Sequence, residues 1–257
     1  TRRRSPTVPD VPQDQFIGMT ATDNTKVTLS DIWVISNRTV NEFRASMSRL
    51  IVAAGLEGLA RTYPNVQITG ALGVFLGPPN NYPQSRITNQ YQLLNQMNRI
   101  VGRHSFKAGG EYRWFTSPSE FLQNSRGLYN YTNLSNLLND LVPANQQLQG
   151  IGDGTFVGNA HNVALFVQDD FKWTPRLTVN AGLRYEFFGN PAGARKQMLN
   201  AVSDLPSANL TWRIPREDKN NLAPRLGFAW DVFGNGKWAL RGGFGVAYDA
   251  IPFNFIT

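Results

Sequence analysis

The stretch that decides the fold is "LTVNAGLRYEFF", residues 177–188. Leu177, Val179, Ala181, Leu183, Tyr185 and Phe187 fall on one parity; Thr178, Asn180, Gly182, Arg184 and Glu186 fall on the other. Successive side chains of a strand point to opposite faces, so this reads as a strand with one greasy side and one wet side. The same division recurs along the chain. Val163, Leu165, Val167, Phe171 and Trp173 oppose Gln168, Asp170 and Lys172. Leu226, Phe228, Trp230 and Val232 oppose Arg225 and Asp231. Trp238, Leu240, Phe244, Val246 and Tyr248 oppose Arg241, Gly243 and Asp249, and Phe106, Ala108, Tyr112 and Trp114 oppose Lys107, Glu111 and Arg113.

Working outward from these strands, short and long connections alternate. Ser36-Asn37-Arg38-Thr39, Gly102-Arg103, Thr174-Pro175-Arg176 and Gly234-Asn235-Gly236-Lys237 each join two alternating runs, as hairpin turns do. The long connections cover about 53–87, 116–159 and 191–221 and are rich in Asn, Pro, Gly and Ser; loops of that length are usually functional. Strands are expected at 26–36, 40–52, 88–101, 104–115, 160–173, 177–188, 222–233 and 238–250, about eight strands in four hairpins. Residues 1–25 read as a polar N-terminal loop. Within the second long connection, 133–142 reads as a short helix capped by Asn133, and 126–132 as a further short strand. The second strands of three hairpins share a spacing, Phe106-x-x-Gly109-x-x-Tyr112, Val179-x-x-Gly182-x-x-Tyr185 and Leu240-x-x-Gly243-x-x-Val246, which marks one hairpin unit used repeatedly.

Two solvents produce such strands. In a soluble sandwich the apolar face meets a second sheet; in a membrane barrel it meets lipid while the polar face meets a wet lumen. Three features favour the membrane. Aromatics gather near strand ends, with Phe171, Trp173 and Trp238 beside short turns and Tyr112, Trp114, Tyr185, Phe187 and Tyr248 toward long loops, as interfacial belts require. A tilted strand of about ten residues crosses an apolar band of about 25 Å, and 177–187 has that length. Short turns on one side with long loops on the other is the outer-membrane pattern. Asp169 is the misfit, because its parity points toward lipid; nearness to the short-turn end or a bulge there would relieve it. The fold expected is therefore all-β, an antiparallel up-and-down transmembrane β-barrel, partial or small, with long loops on one side.

Composition agrees. Of 257 residues only 17% are charged, below the usual quarter, while aromatics reach 12%. Low charge with abundant aromatics, Gly and Asn suits β-structure with long polar loops. There is no Cys, which excludes disulfides, thiolate metal sites and a Cys nucleophile. The net charge is +7, but only Arg2-Arg3-Arg4 forms a tight basic run, with no aromatic-interleaved groove after it, so no nucleic-acid partner is expected. No apolar run approaches the roughly 18 residues of a membrane helix. The chain opens at Thr1 inside a Pro-rich polar stretch, which reads as a piece of something longer or a processed product.

Four segments carry a family likeness. "FVQDDFKWTPRLTVNAGLRYEFFGNP" (166–191), "LAPRLGFAWDVFGNGKWALRGGFGVAYD" (222–249), "GRHSFKAGGEYRW" (102–114) and "VNEFRASMSR" (40–49) resemble the barrel hairpins of TonB-dependent outer-membrane receptors. The likeness is greatest to the Oar-like branch, whose members often carry a carboxypeptidase-regulatory-like domain, and it covers about 26–250. The resemblance implies a barrel in the bacterial outer membrane that takes up a bulky ligand, energised by TonB through a plug domain. No plug or TonB-contacting segment is recognisable, so the chain is expected to be an internal piece of such a barrel, 1–257 as one segment. The alternative is a self-contained small outer-membrane barrel or surface β-protein that binds or adheres without transport.

No catalytic constellation stands out, so no enzyme activity and no cofactor are expected. His104 and His161 lie far apart and read as interface or loop residues rather than a metal pair. Asp169 and Asp170 are neighbours in a strand and point to opposite faces, so they cannot share a substrate. "GIGDGTFVG" (150–158) lacks the Lys-Ser/Thr ending of a phosphate loop. The candidate ligand path is the polar face itself, Lys107, Glu111, Arg113, Arg184, Glu186, Arg225, Asp231 and Arg241; the plainer reading, which we favour, is a mutually paired network lining a wet wall. Gly109, Gly182 and Gly243 share that face and read as relief of crowding, sites of bends or seats for a large neighbour across the sheet.

Overall fold

The alternating runs form hairpins as the pattern dictates, rich in the β-branched and aromatic residues that suit a pleated surface. The computed structural model describes residues 2–7, 18–69, 74–141, 146–196, 200–201, 211–212 and 216–250. The chain runs from β1 (Arg2–Thr7) through β2 (Gly18–Ser36), β3 (Thr39–Leu56), β4 (Asn65–Ile68) and β5 (Val74–Leu76). It continues through β6 (Gln84–Val101), β7 (His104–Thr116), β8 (Pro118–Phe121), β9 (Leu128–Tyr131), β10 (Gln146–Leu148) and β11 (Thr155–Val157). Then come β12 (Ala160–Thr174), β13 (Leu177–Phe188), β14 (Asn200–Ala201), β15 (Thr211–Trp212), β16 (Asn221–Asp231) and β17 (Ala239–Gly245). The helices α1 (Leu134–Leu138) and α2 (Ala192–Lys196) are short.

The main sheet has the order β1-β2-β3-β6-β7-β12-β13-β16-β17. The register between neighbours is antiparallel wherever it is resolved along this path. The fold is thus an antiparallel up-and-down sheet of an all-β protein. Among the described residues the path stays open: β1 and β17 end it and do not pair with each other. All eight expected long strands are present, although β17 stops at Gly245, short of the expected 250. Where the sequence reads as a polar loop, Arg2–Thr7 pairs with the early part of β2, from Gly18 to Asp23. The polar side chains there hide a strand whose partner is simply adjacent.

Three of the short turns are pinned by the residue types that favour them. Ser36 Oγ accepts Arg38 N–H at 3.2 Å, and Thr174 Oγ accepts the Leu177 N–H at 3.0 Å. Asp231 accepts the Gly234 and Gly236 N–H groups at 2.9 Å each. In the remaining turn Gly102 supplies the left-handed φ, +59°, that a tight hairpin needs. The only irregularity of the β12–β13 register falls between Lys172 and Thr174, at the turn. Asp169 pairs in regular register with Ala181 and Phe106, so no bulge resets it.

The chain divides into two compact units, residues 1–25, 49–89 and 117–157 in one and 26–48, 90–116 and 158–257 in the other. The second holds the strands next to the short turns. On its greasy side Leu165 is 53% exposed, Leu183 44%, Leu226 59% and Phe244 66%, so no second protein layer covers that face among the described residues. The opposite parity is the more enclosed one: Glu111, Arg113, Gln168, Asp170, Arg184 and Glu186 are all half-buried. A soluble sandwich would show the reverse.

In the first unit the long connections are not loops alone. Strand β4 pairs antiparallel with β5 and parallel with β9, and β9 pairs with β10, making a four-stranded sheet. Ala54, Leu56, Ala60 and Tyr82 form a small buried cluster. Helix α1 is capped as expected, with Asn133 Oδ1 accepting the Asn136 N–H at 2.9 Å, and β9 occupies the site expected for a short strand. The glycine-rich 150–158 carries β11, which pairs with β8, rather than a cradle for phosphate.

Candidate functional site

The polar face of the second unit is built from the register of its strands. Asn162, Ala164, Phe166, Gln168 and Asp170 of β12 lie opposite Arg113, Glu111, Gly109, Lys107 and Ser105 of β7. The same five lie opposite Phe188, Glu186, Arg184, Gly182 and Asn180 of β13. Gly182 in turn faces Arg225 of β16, and Ala229 faces Arg241 of β17. Directly opposed residues of an antiparallel pair share a face. Seven of the eight candidate residues, and Asp231 by its parity, therefore stand on one side of the sheet.

Within that face the structure groups them unequally. Glu111, Arg113, Arg184 and Glu186 line a single hollow with Asn162, Val163, Ala164 and Phe188. Arg113 pairs with Glu111, and Arg184 Nε donates to Glu186 Oε1 at 2.9 Å. Glu111 also accepts from Gln92 Nε2 at 2.6 Å, Ser46 Oγ donates to Gln92 at 3.2 Å, and Gln96 donates to Glu42 at 2.5 Å. Asp170 Oδ1 accepts from Asn180 at 2.6 Å and Gln168 at 3.0 Å. Carboxylates and guanidinium groups out of bulk water need such partners, and amide side chains supply the links between strands. Sequence reasoning missed Gln92, Gln96, Ser46 and Asn180, because a neutral polar residue on a polar parity carries no special signal.

The remaining candidates stand apart. Lys107 lies 6.0 Å from the centroid of the Phe166 ring, at the limit of a cation–π contact. Arg225 and Arg241 form no ion pair among the described residues, so the mutual network does not extend to them. Asp231 is consumed by its own turn. Phe166, an aromatic on the polar side, sits over Gly109: a Cβ there would lie 2.8 Å from the ring and 2.5 Å from the Asn95 carbonyl oxygen. Gly109 is thus a seat for a large cross-strand neighbour, one of the roles open to a glycine on the polar face.

On the apolar side, Asp169 has a partner that parity does not announce. Its Oδ2 lies 2.6 Å from His104 Nδ1, and the imidazole stacks on Phe106 and Phe171 at centroid distances of 5.3 and 4.4 Å. The pair lies near the short-turn end. The other histidine, His161, lies 2.6 Å from the Tyr112 hydroxyl and is stacked on Trp114, far along the same two strands, so the two histidines do not converge. Tyr91 stacks on Trp114 at 5.2 Å. Aromatics therefore edge the apolar face at both ends, the arrangement of an interfacial belt. Among the described residues no group of three or more His, Cys, Asp or Glu could hold a metal ion.

No curated protein and no solved structure matches the chain. A family model described as "Outer membrane beta barrel domain" matches residues 1–257. With a lipid-ready apolar face, aromatic edges and a hydrogen-bonded polar wall already in place, the chain belongs to the outer membrane beta barrel domain family and is a protein of the bacterial outer membrane.

Proposed function

We propose that the chain is wall of a receptor barrel of the TonB-dependent kind, serving uptake of a bulky ligand across the outer membrane. The observation that carries this reading is the open sheet: among the described residues its end strands β1 and β17 do not pair with each other. An unpaired transmembrane edge is untenable in lipid, so such a sheet needs further strands to close on. The lengths of β2, β3 and β6, 18 to 19 residues, exceed the 9–11 that crossing requires and suit a large barrel whose strands project beyond the bilayer. In this reading the polar face lines the lumen, with Lys107, Arg225 and Arg241 as the cations left for a ligand. The paired Glu111, Arg113, Arg184 and Glu186 then form structural wall. TonB acts through a plug, and none is found among the described residues.

A second reading, a self-contained binding or adhesion protein without transport, is favoured by one feature: the first two long connections fold together into a sheet with a buried cluster. Uptake by intact cells separates the two. Cells with and without the gene are offered labelled iron chelates, oligosaccharides and peptides, with and without a protonophore. The proposal expects at least one solute whose accumulation needs both the gene and an energised membrane. Gene-dependent binding that survives the protonophore without accumulation overturns it in favour of the second reading.

A further inference from the structure

Each of the four short turns carries one exposed basic residue: Arg38, Arg103, Arg176 and Lys237. None of the four enters an ion pair among the described residues. Three acids on strands that lead into these turns are engaged elsewhere, Asp231 by turn amides, Asp170 by Asn180 and Asp169 by His104. Arg176 lies against Gly234 of the next turn, and Arg103 donates to the Trp173 carbonyl at 3.2 Å, so two of the cations are held in place by backbone. Immediately above the turns stand exposed indoles: Trp33 is 63% exposed, Trp173 59% and Trp238 69%.

We propose that this row of turns is a docking surface for anionic phospholipid headgroups of the leaflet on the short-turn side. Three arguments select a lipid surface over a single anion or a protein. Turns of successive hairpins lie two strands apart, so neighbouring cations are spaced by about 10 Å along the sheet. Four charges so spread cannot converge on one phosphate, but they match a planar array of them. Indole rings prefer the membrane interface, which places the adjoining turns at headgroup depth. The turn side of an outer-membrane barrel faces the periplasm, where the leaflet is phospholipid. Among the described residues the wet-wall acids Glu111, Glu186, Asp170 and Asp231 already have donors.

The full chain in vesicles tests this through its own tryptophans. Quenching is compared between brominated phosphatidylglycerol and brominated phosphatidylcholine, both at low and at high salt. The expected result is stronger quenching by the anionic lipid at low salt, a preference that fades at high salt and is unaffected by added inorganic phosphate at matched ionic strength. Each single change, Arg38→Gln, Arg103→Gln, Arg176→Gln or Lys237→Gln, is expected to lower the preference by roughly two- to five-fold, since a basic residue near such a surface contributes on that scale. Exchanging the three arginines for lysine retains it, which separates charge from turn geometry if a Gln variant folds poorly. Equal quenching by both lipids in the unaltered chain overturns the proposal. So does a preference that the Gln variants leave unchanged, and so does loss to phosphate alone, which would indicate a discrete anion site.

Discussion

In the strand unit, residues 26–48, 90–116 and 158–250, order comes from a two-residue period repeated on every strand. The period sets Arg184 beside Glu186 along β13, register sets Gln92 of β6 beside Glu111 of β7, and the apolar parity is left for lipid. In the other unit, order comes from single contacts between distant loop positions. Arg126 donates to the carbonyls of Tyr63, Tyr82 and Pro79, Asn65 Nδ2 donates to Pro78 O at 2.9 Å, and Asn80 Nδ2 donates to Asn124 Oδ1 at 2.9 Å. Burial lowers the pKa of the Arg126 guanidinium from its usual value without removing its charge at any ordinary pH. One unit is held by a pattern that many residues share; the other is held by a few residues that nothing replaces. That difference predicts opposite responses to substitution.

The largest effect is expected at Arg126. Arg126→Ala strands three carbonyls and should destabilise the loop unit by about 4 kcal/mol, since charge-assisted bonds contribute about 1.5–3 kcal/mol each before discounting for partial exposure. Amide exchange in detergent should accelerate across Asn65–Ile68 and Leu128–Tyr131 and stay unchanged in Leu177–Phe188; acceleration everywhere would break the contrast between the units. Next comes a charge on the greasy parity. Leu183→Arg should cost about 3 kcal/mol of folding stability in a bilayer, while Gln168→Arg on the other parity should cost under about 1 kcal/mol. Denaturant titration in vesicles measures both, and equal costs would remove the claim that the faces see different solvents.

A smaller effect is expected at the His104–Asp169 pair. His104→Phe keeps the aromatic stack but leaves the carboxylate alone on the apolar side, and a double-mutant cycle with Asp169→Asn should return a coupling of about 1–2 kcal/mol. Zero coupling would mean that the short-turn end is wet enough to carry Asp169 unaided. The smallest effect belongs to Asp153. Hydrogen bonds from the Thr155 hydroxyl and N–H hold its carboxyl below the ordinary value. A carboxyl more acidic folded than unfolded stabilises the fold above its unfolded pKa, and that contribution is lost as pH falls through the folded value. Protection of the Thr155 amide, the intrinsic exchange rate relative to the observed one at each pH, should therefore drop as pH falls below about 3.9, with no such step in Asp153→Asn.

The contrast also explains how much of the molecule was legible. Strands and short turns announced themselves because alternation and turn residues are local: 177–188 was placed to the residue. The polar wall was legible as a parity, and four of its candidate charges meet in one hollow. Its amide links were not, since Gln92 and Gln96 look like any polar residue until the register joins β6 to β7 and β3. The parallel pairing of β4 with β9 joins segments separated by the whole β6–β7 hairpin, and no local period encodes it. Arg126 carried no signal of its own at the edge of the expected short strand 126–132, because its three acceptors are backbone carbonyls, which every residue has. His104 and Asp169 lie on neighbouring strands, and only register brings them together.

The solvent on each face of β13 can be read directly, because the chain has no native Cys. Single cysteines at each position from 180 to 187, spin-labelled in bilayers, report collision with lipid-soluble oxygen and with a water-soluble nickel complex. Oxygen access should peak at 181, 183 and 185 and nickel access at 182, 184 and 186, alternating with every residue. Alternation of the opposite phase, or low access to both reagents at 183, would place a protein layer against the apolar side and contradict the membrane wall described above.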